Sequence, residues 1–139
     1  MIELRDYEPE DTELITSRAR DVLYWNHSVA DTTDEAVTML KDGHPVAICG
    51  ISILYPGVAS IWVICSDDVR GFGVSVVKVG RSLCDIWHEK FDIRRFQALV
   101  DVEIEENKKF AKVCGFEFEG VMRKVTIEGK DMELYARVY

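Results

Sequence analysis

Arg70-Gly71-Phe72-Gly73-Val74-Ser75 is the stretch of this sequence whose residue types and spacing could do chemistry. Two glycines stand between an apolar run, Ala59 to Cys65, and a helix-forming run that reaches about Lys90. Glycine lets the backbone approach a ligand closely. A helix opening there presents unpaired N–H groups and the positive end of its dipole. Such a turn either seats a phosphate or merely reverses the chain. Asp101 and Glu103 form the second group of interest. They alternate with Val100 and Val102 and so share one face of a strand. A carboxylate there either takes a proton from an attacking nucleophile or caps a strand end at the surface.

The other polar candidates read as structural. His27 lies in an unassigned loop, His44 follows a turn and is exposed, and His88 lies on a helix. Tyr135 and Tyr139 read as packed, although either could supply a proton. Trp25, Trp62 and Trp87 read as core, with Trp25 also able to wall a pocket. Cys49, Cys65, Cys84 and Cys114 contain no C-x-x-C pair and sit in apolar stretches, so they read as small buried hydrophobes rather than metal ligands. No Ser-His-Asp order, Walker motif or metal-ligand spacing occurs.

These residues must be positioned by a regular alternation of elements. Ile2 to Arg5 reads as a strand, and Pro9-Glu10-Asp11-Thr12 opens a helix continuing toward Trp25. Asn26 to Glu35 is polar and turn-rich. Ala36–Lys41 and Pro45–Leu54 flank Asp42-Gly43, a hairpin signal, and Tyr55-Pro56-Gly57 turns into Val58–Cys65. Val76, Gly80, Leu83, Cys84, Trp87 and Phe91 form one apolar stripe on a helix over 72–90. A strand over Phe96–Val102, a helix over Glu105–Val113 stopped by Gly115, and strands over Phe116–Ile127 and Met132–Tyr139 complete the chain. The order is β-α-(α)-β-β-β-α-β-α-β-β. It predicts an α/β mixed sheet with helices on both faces, an antiparallel meander first and at least one parallel pairing later. The final strand is a candidate edge for a second copy, so the chain reads as a monomer or homodimer.

The 139 residues, 47% of them hydrophobic and 30% charged, fit a single domain over 1–139. With 17 basic and 25 acidic residues the net charge is −8, which disfavours general nucleic-acid binding. No apolar run approaches the roughly 20 residues of a membrane span. The opening Met-Ile-Glu-Leu-Arg-Asp is unlike a signal peptide, so a cytoplasmic location is expected.

At this point the chain resembles the GCN5-related N-acetyltransferase (GNAT) family. Arg70-Gly71-Phe72-Gly73-Val74-Ser75 is similar to the family's Q/R-x-x-G-x-G/A turn, with serine at the last small position. The opening Asp6-Tyr7-Glu8-Pro9-Glu10-Asp11 and the ending Phe110 to Gly120, with its Gly115-Phe116 and Glu119-Gly120, match in the same order. The resemblance implies acetyl-CoA as cofactor and an amine as acceptor. The N–H groups of 71–75 would hold the pyrophosphate, with Arg70 pointing at it. The main chain of Val63 and Cys65 would pair with the pantetheine arm, and splayed strands beside Cys65 would orient the thioester. Asp101 or Glu103 would accept the proton. Asn26–Glu35 and Ile127–Asp131 would shape the acceptor site. The family's usual tyrosine falls at Ala111 and its usual asparagine at Ile104. Asn107 lies three residues further on and does not inherit the asparagine's role.

A narrower resemblance, carried by Pro45-Val46-Ala47-Ile48, Trp62-Val63 and Ser66-Asp67, is to small acetyltransferase-like proteins of podovirus-type phages. It implies an alternative: a catalytically degenerate copy of the fold serving as an internal virion protein or binding a host protein.

Overall fold

The computed structural model describes residues 2–15, 33–66 and 73–139. β1 (Ile2–Asp6) leads into a short α1 (Glu10–Leu14). β2 (Glu35–Lys41), β3 (His44–Tyr55) and β4 (Val58–Cys65) make the antiparallel meander that the sequence predicts. Next come α2 (Gly73–Phe91), β5 (Arg95–Asp101), α3 (Glu105–Val113), β6 (Glu117–Met122) and β7 (Met132–Val138). The seven strands form one sheet in the order β1-β2-β3-β4-β5-β7-β6. Its pairings are antiparallel except β4 with β5.

Local chemistry explains the meander. Asp42 and Gly43 both have positive φ, 51° and 79°, which closes the two-residue turn between Lys41 and His44 with the twist a hairpin needs. β3 is buried on both faces, so it reads as a nearly continuous apolar run rather than an alternating one. Ala47, Cys49 and Ile51 join one core with Val76, Leu83, Cys84 and Trp87 of α2 and Ala111 of α3. Ile48 faces the other way and packs with Ile15 and Ile64. Helices therefore cover both faces, with α2 and α3 on one and α1 on the other.

α1 is pinned by a buried carboxylate. Arg5 donates to Asp11 from both terminal nitrogens at 2.8 and 2.6 Å, the Glu8 N–H donates at 2.9 Å and the Thr38 hydroxyl at 2.6 Å. Burial pushes the Asp11 pKa up, but these four donors outweigh it and hold the carboxyl below its ordinary value.

Several sequence expectations shift. The helix after Pro9 is described only to Leu14, and its continuation and most of the 26–35 region lie outside the described residues. β5 ends at Asp101 rather than Val102, because the Asp101 carboxylate accepts the Glu103 N–H at 2.8 Å and turns the chain. β6 stops at Met122 rather than Ile127. Lys124 has a φ of 53°, Val125 N–H bonds Lys130 O at 2.9 Å and Gly129 N–H bonds Thr126 O at 2.9 Å, so the apolar residues beyond Met122 belong to a folded turn. The final strand is not an edge: β7 lies between β5 and β6, and β6 is the edge. No described helix is long and apolar enough to cross a membrane.

Candidate functional site

The parallel pair at the centre of the sheet is joined over three residues only. Val58, Ala59 and Ser60 of β4 align with Arg95, Phe96 and Gln97 of β5. β3 nevertheless accompanies β4 as far as Cys65, and β7 accompanies β5 as far as Asp101. Ile61 to Cys65 and Ala98 to Asp101 therefore each have a strand partner on the outer side and are not paired with one another. The gap is a wedge about 16 Å long at the usual rise per residue. Its edges carry backbone donors and acceptors that a polar, extended ligand could satisfy.

Val63 and Cys65 lie on the β4 edge of this wedge. Val63 is 37% exposed and Cys65 is half-buried. Ser66 follows, almost fully buried, with its N–H bonded to Val46 O at 2.9 Å and its hydroxyl without a hydrogen-bond partner among the described residues. Arg70, Gly71 and Phe72 lie outside the described residues. Gly73, Val74 and Ser75 form the first turn of the 19-residue α2. A Cβ placed on Gly73 would meet no atom of the described residues within 4 Å, and Val74 is mostly exposed. α2 ends at Phe91, just before β5 begins at Arg95 at the paired end of the strands, so its N-terminus lies toward the open end of the wedge.

On the wedge's other side, Phe96 and Val100 face the core beneath α2 and α3, so Asp101, at odd spacing from them, faces the opposite side of the sheet. Asp101 and Glu103 line one open cleft of about 310 Å³ together with Val102, Gly129, Lys130 and Asp131. Glu103 sits in the turn after β5, not on the strand. Its carboxylate stands 3.9 Å from the Lys130 ammonium. The Asp131 carboxylate accepts the Lys124 N–H at 2.8 Å, which braces the loop. The two acids named from the sequence and part of the 127–131 loop thus share one cleft. Lys130 as a partner for Glu103 had no signal in the sequence, because the two are brought together by the β5–β7 pairing.

The remaining candidates are structural. Ala111 is buried in the main core, and Ile104 is buried at the start of α3. Tyr135 is 1% exposed, packs edge-on against Phe118 and donates to Glu133 at 2.9 Å. Burial, then that carboxylate, raises its pKa. Glu133 also pairs with Lys108 at 2.9 Å. The Tyr139 hydroxyl donates to Asp85 at 2.6 Å, and its ring stacks on His88 at 4.0 Å. Burial, then Asp85, pushes its pKa well up. A tyrosine whose proton is held by a carboxylate is a poor acid, so neither replaces a hydroxyl at position 111. His44 is exposed. His27 and Trp25 lie outside the described residues. Trp87 is core, its indole N–H bonded to Glu35, and Trp62 is half-buried over Gly50. No disulfide joins the cysteines, and the described residues hold no cluster of ligating side chains fit for a metal ion.

Comparison with known proteins places this geometry. No family model matches the chain, and no curated protein matches its sequence. Solved structures do. An IAA acetyltransferase from Bacillus cereus superimposes with a TM-score of 0.75 at 11% identity over 100% of both chains. Ard1 from Thermoplasma volcanium gives 0.73 at 16% identity, covering 99% of this chain and 97% of its own. The aminoglycoside acetyltransferase AAC(6')-Ib, solved in complex with coenzyme A, gives 0.73 at 16% identity over 99% and 95%. The mixed seven-stranded sheet, the parted central strands and these likenesses agree that the chain has the fold of the GNAT acetyltransferases.

Proposed function

We propose that this protein is an acetyl-CoA-dependent N-acetyltransferase acting on a primary amine. The observation that carries the reading is the parting of β4 from β5 after Ser60 and Gln97, with the N-terminus of α2 at the open end. The wedge suits an extended amide-bearing arm, which would pair with the main chain at Val63 and Cys65. The helix end suits a pyrophosphate, held by N–H groups of residues 71–75 with Arg70 beside it. The likeness to an aminoglycoside acetyltransferase solved with coenzyme A supports the same cofactor here.

In this reading the amine approaches from the sheet face opposite α2 and α3, where Asp101 lies. Its nitrogen attacks the thioester carbonyl carbon, and a backbone N–H at the wedge stabilises the oxyanion. Asp101 or Glu103 takes the proton that the nitrogen loses, directly or through water. The C–S bond then breaks with its electron pair on sulfur. With alanine at 111, the departing thiolate takes its proton from solvent. The acceptor is a protein lysine, a protein N-terminus or a small amine. The protein works in the cytoplasm, as a monomer or homodimer.

Incubation with acetyl-CoA and a panel of primary amines, followed by release of free CoA thiol, tests the reading. Amine-dependent thiol release is expected. Folded protein that acetylates no amine points to the second reading, which Ala111 favours: a degenerate copy of the fold that binds a host or virion protein.

A further inference from the structure

The cleft that holds the two candidate proton acceptors also holds a primary amine of the protein's own. Lys130 is the one basic side chain among the described residues lining it, beside Asp101, Glu103 and Asp131. Its backbone is fixed on both sides. The Lys130 N–H donates to the Thr126 hydroxyl at 2.9 Å, and the Lys130 carbonyl accepts from the Val125 N–H at 2.9 Å and the Thr126 N–H at 3.3 Å. Thr126 is buried, so this turn is anchored to the body of the protein. Gly129 supplies the positive φ, 78°, that the turn requires. The Lys130 side chain, by contrast, is half exposed. Its ammonium stands 3.9 Å from the Glu103 carboxylate, longer than a hydrogen bond. An anchored backbone thus carries an amine on a flexible stem.

The place of this loop relative to the wedge gives the amine its interest. Met132, two residues after Lys130, pairs with Asp101 at the end of β5. Asp101 lies four residues beyond Gln97, and Cys65 five residues beyond Ser60, so both stand at the open end of the wedge. Lys130 therefore sits at the mouth of the opening, on the β7 side. Asp101 and Asp131 each already accept a backbone N–H at 2.8 Å, from Glu103 and Lys124. The Glu103 carboxylate instead faces the amine.

We propose that Lys130 is a self-acetylation site, its Nζ taking the acetyl group from acetyl-CoA bound to the same chain. This rests on the acetyl-CoA reading above. The Lys130 ammonium gives one proton to Glu103, which passes it to solvent. The neutral nitrogen attacks the thioester carbonyl carbon, and the N–C bond forms. The nitrogen then loses a second proton to the same carboxylate. The C–S bond breaks with its electron pair on sulfur, and the thiolate takes a proton from solvent. The products are acetyl-lysine, free coenzyme A and one released proton. Acetylation removes the charge of Lys130 and with it the ion pair to Glu103. The modified cleft is more acidic and more open to a cationic acceptor.

The test incubates the whole chain with acetyl-CoA and no added amine, and follows intact mass and peptide maps over time. Lys130 should gain one acetyl group about tenfold faster than the mean of the other lysines, or more, because it is held beside the donor. Its rate should not change with protein concentration. Lys130→Arg keeps the charge and the backbone bonds of the loop, so it should melt as wild type does and lose this modification. Lys130→Gln takes its place should the arginine variant not fold. Labelling of Lys130 at only the rate of the other lysines, in protein that acetylates an added amine, overturns this inference and leaves the acetyl-CoA reading standing. A rate that rises in proportion to protein concentration overturns the assignment to the same chain. Folded protein that transfers acetyl neither to Lys130 nor to any added amine overturns the acetyl-CoA reading and this inference with it.

Discussion

Ser60 of β4 and Gln97 of β5 are the last residues at which the two parallel strands are joined. Everything proposed for this protein depends on what happens one residue later. Both strands continue, each secured by its outer neighbour, so the opening between them is held by β3 and β7 rather than by disorder of either strand. Where two strands of a sheet part, their facing edges are no longer satisfied by each other, and an extended ligand can enter between them.

Gly73 provides the cleanest steric test. Because a Cβ there meets no atom of the described residues within 4 Å, a side chain can start from this position without meeting them. Gly73→Trp should leave the melting temperature within a few degrees of wild type, since exposed substitutions cost about 0.5 kcal/mol or less. It should abolish the thermal shift that acetyl-CoA gives the wild type, because the indole fills the place next to the helix N–H groups.

Asp101 and Glu103 are separable by substitution. Asp101→Asn keeps an acceptor for the Glu103 N–H, and Glu103→Gln loses only a 3.9 Å approach to Lys130. Both variants should fold as wild type does. The one that removes the proton acceptor should lower kcat by about 10²- to 10⁴-fold with cofactor affinity intact. Steady-state rates with a saturating amine identify which, and full activity in both variants removes the assignment.

The Asp11 lock controls stability in acid. Its carboxyl is held below the ordinary aspartate value, so its contribution is complete above that value, about 3.9, and is lost as pH falls through the lower folded-state value. Asp11→Ala should cost about 1–3 kcal/mol at neutral pH, because it leaves the buried Thr38 hydroxyl without its acceptor. The gap between variant and wild type should narrow below about pH 4. Urea titrations at neutral and acid pH measure both effects.

The cysteines divide by burial. Burial raises Cys84 and Cys114 to about 11 and holds Cys49 well above its ordinary value. At pH 8 a thiol of pKa about 11 is ionised in roughly one molecule per thousand, so these three should resist alkylation in the folded state. Cys65, half-buried on the β4 edge, should react first. Acetyl-CoA should slow that reaction, and mass spectrometry of the labelled peptides reads the order directly.

Much of the scaffold was legible because its signals are local. Asp42-Gly43 fixed a hairpin, the Val76–Trp87 stripe fixed the buried face of α2, and Gly115 marked the end of α3. The errors came where tertiary contacts override local pattern. Val125 and Ile127 read as strand by composition, but the Val125–Lys130 and Thr126–Gly129 hydrogen bonds fold them into a turn. The last strand read as an edge because chain order suggests it, whereas β7 inserts between β5 and β6. For the site, the spacing of Asp101 and Glu103 was visible, but their approach to Lys130 and Asp131 was not.

Calorimetric titration of acetyl-CoA into the folded wild-type protein tests the central claim most directly. The wedge and the helix end predict one saturable site per chain with a dissociation constant below about 1 mM, in the range usual for enzyme substrates. The absence of saturable heat up to millimolar acetyl-CoA, with the protein shown to be folded, would contradict the account.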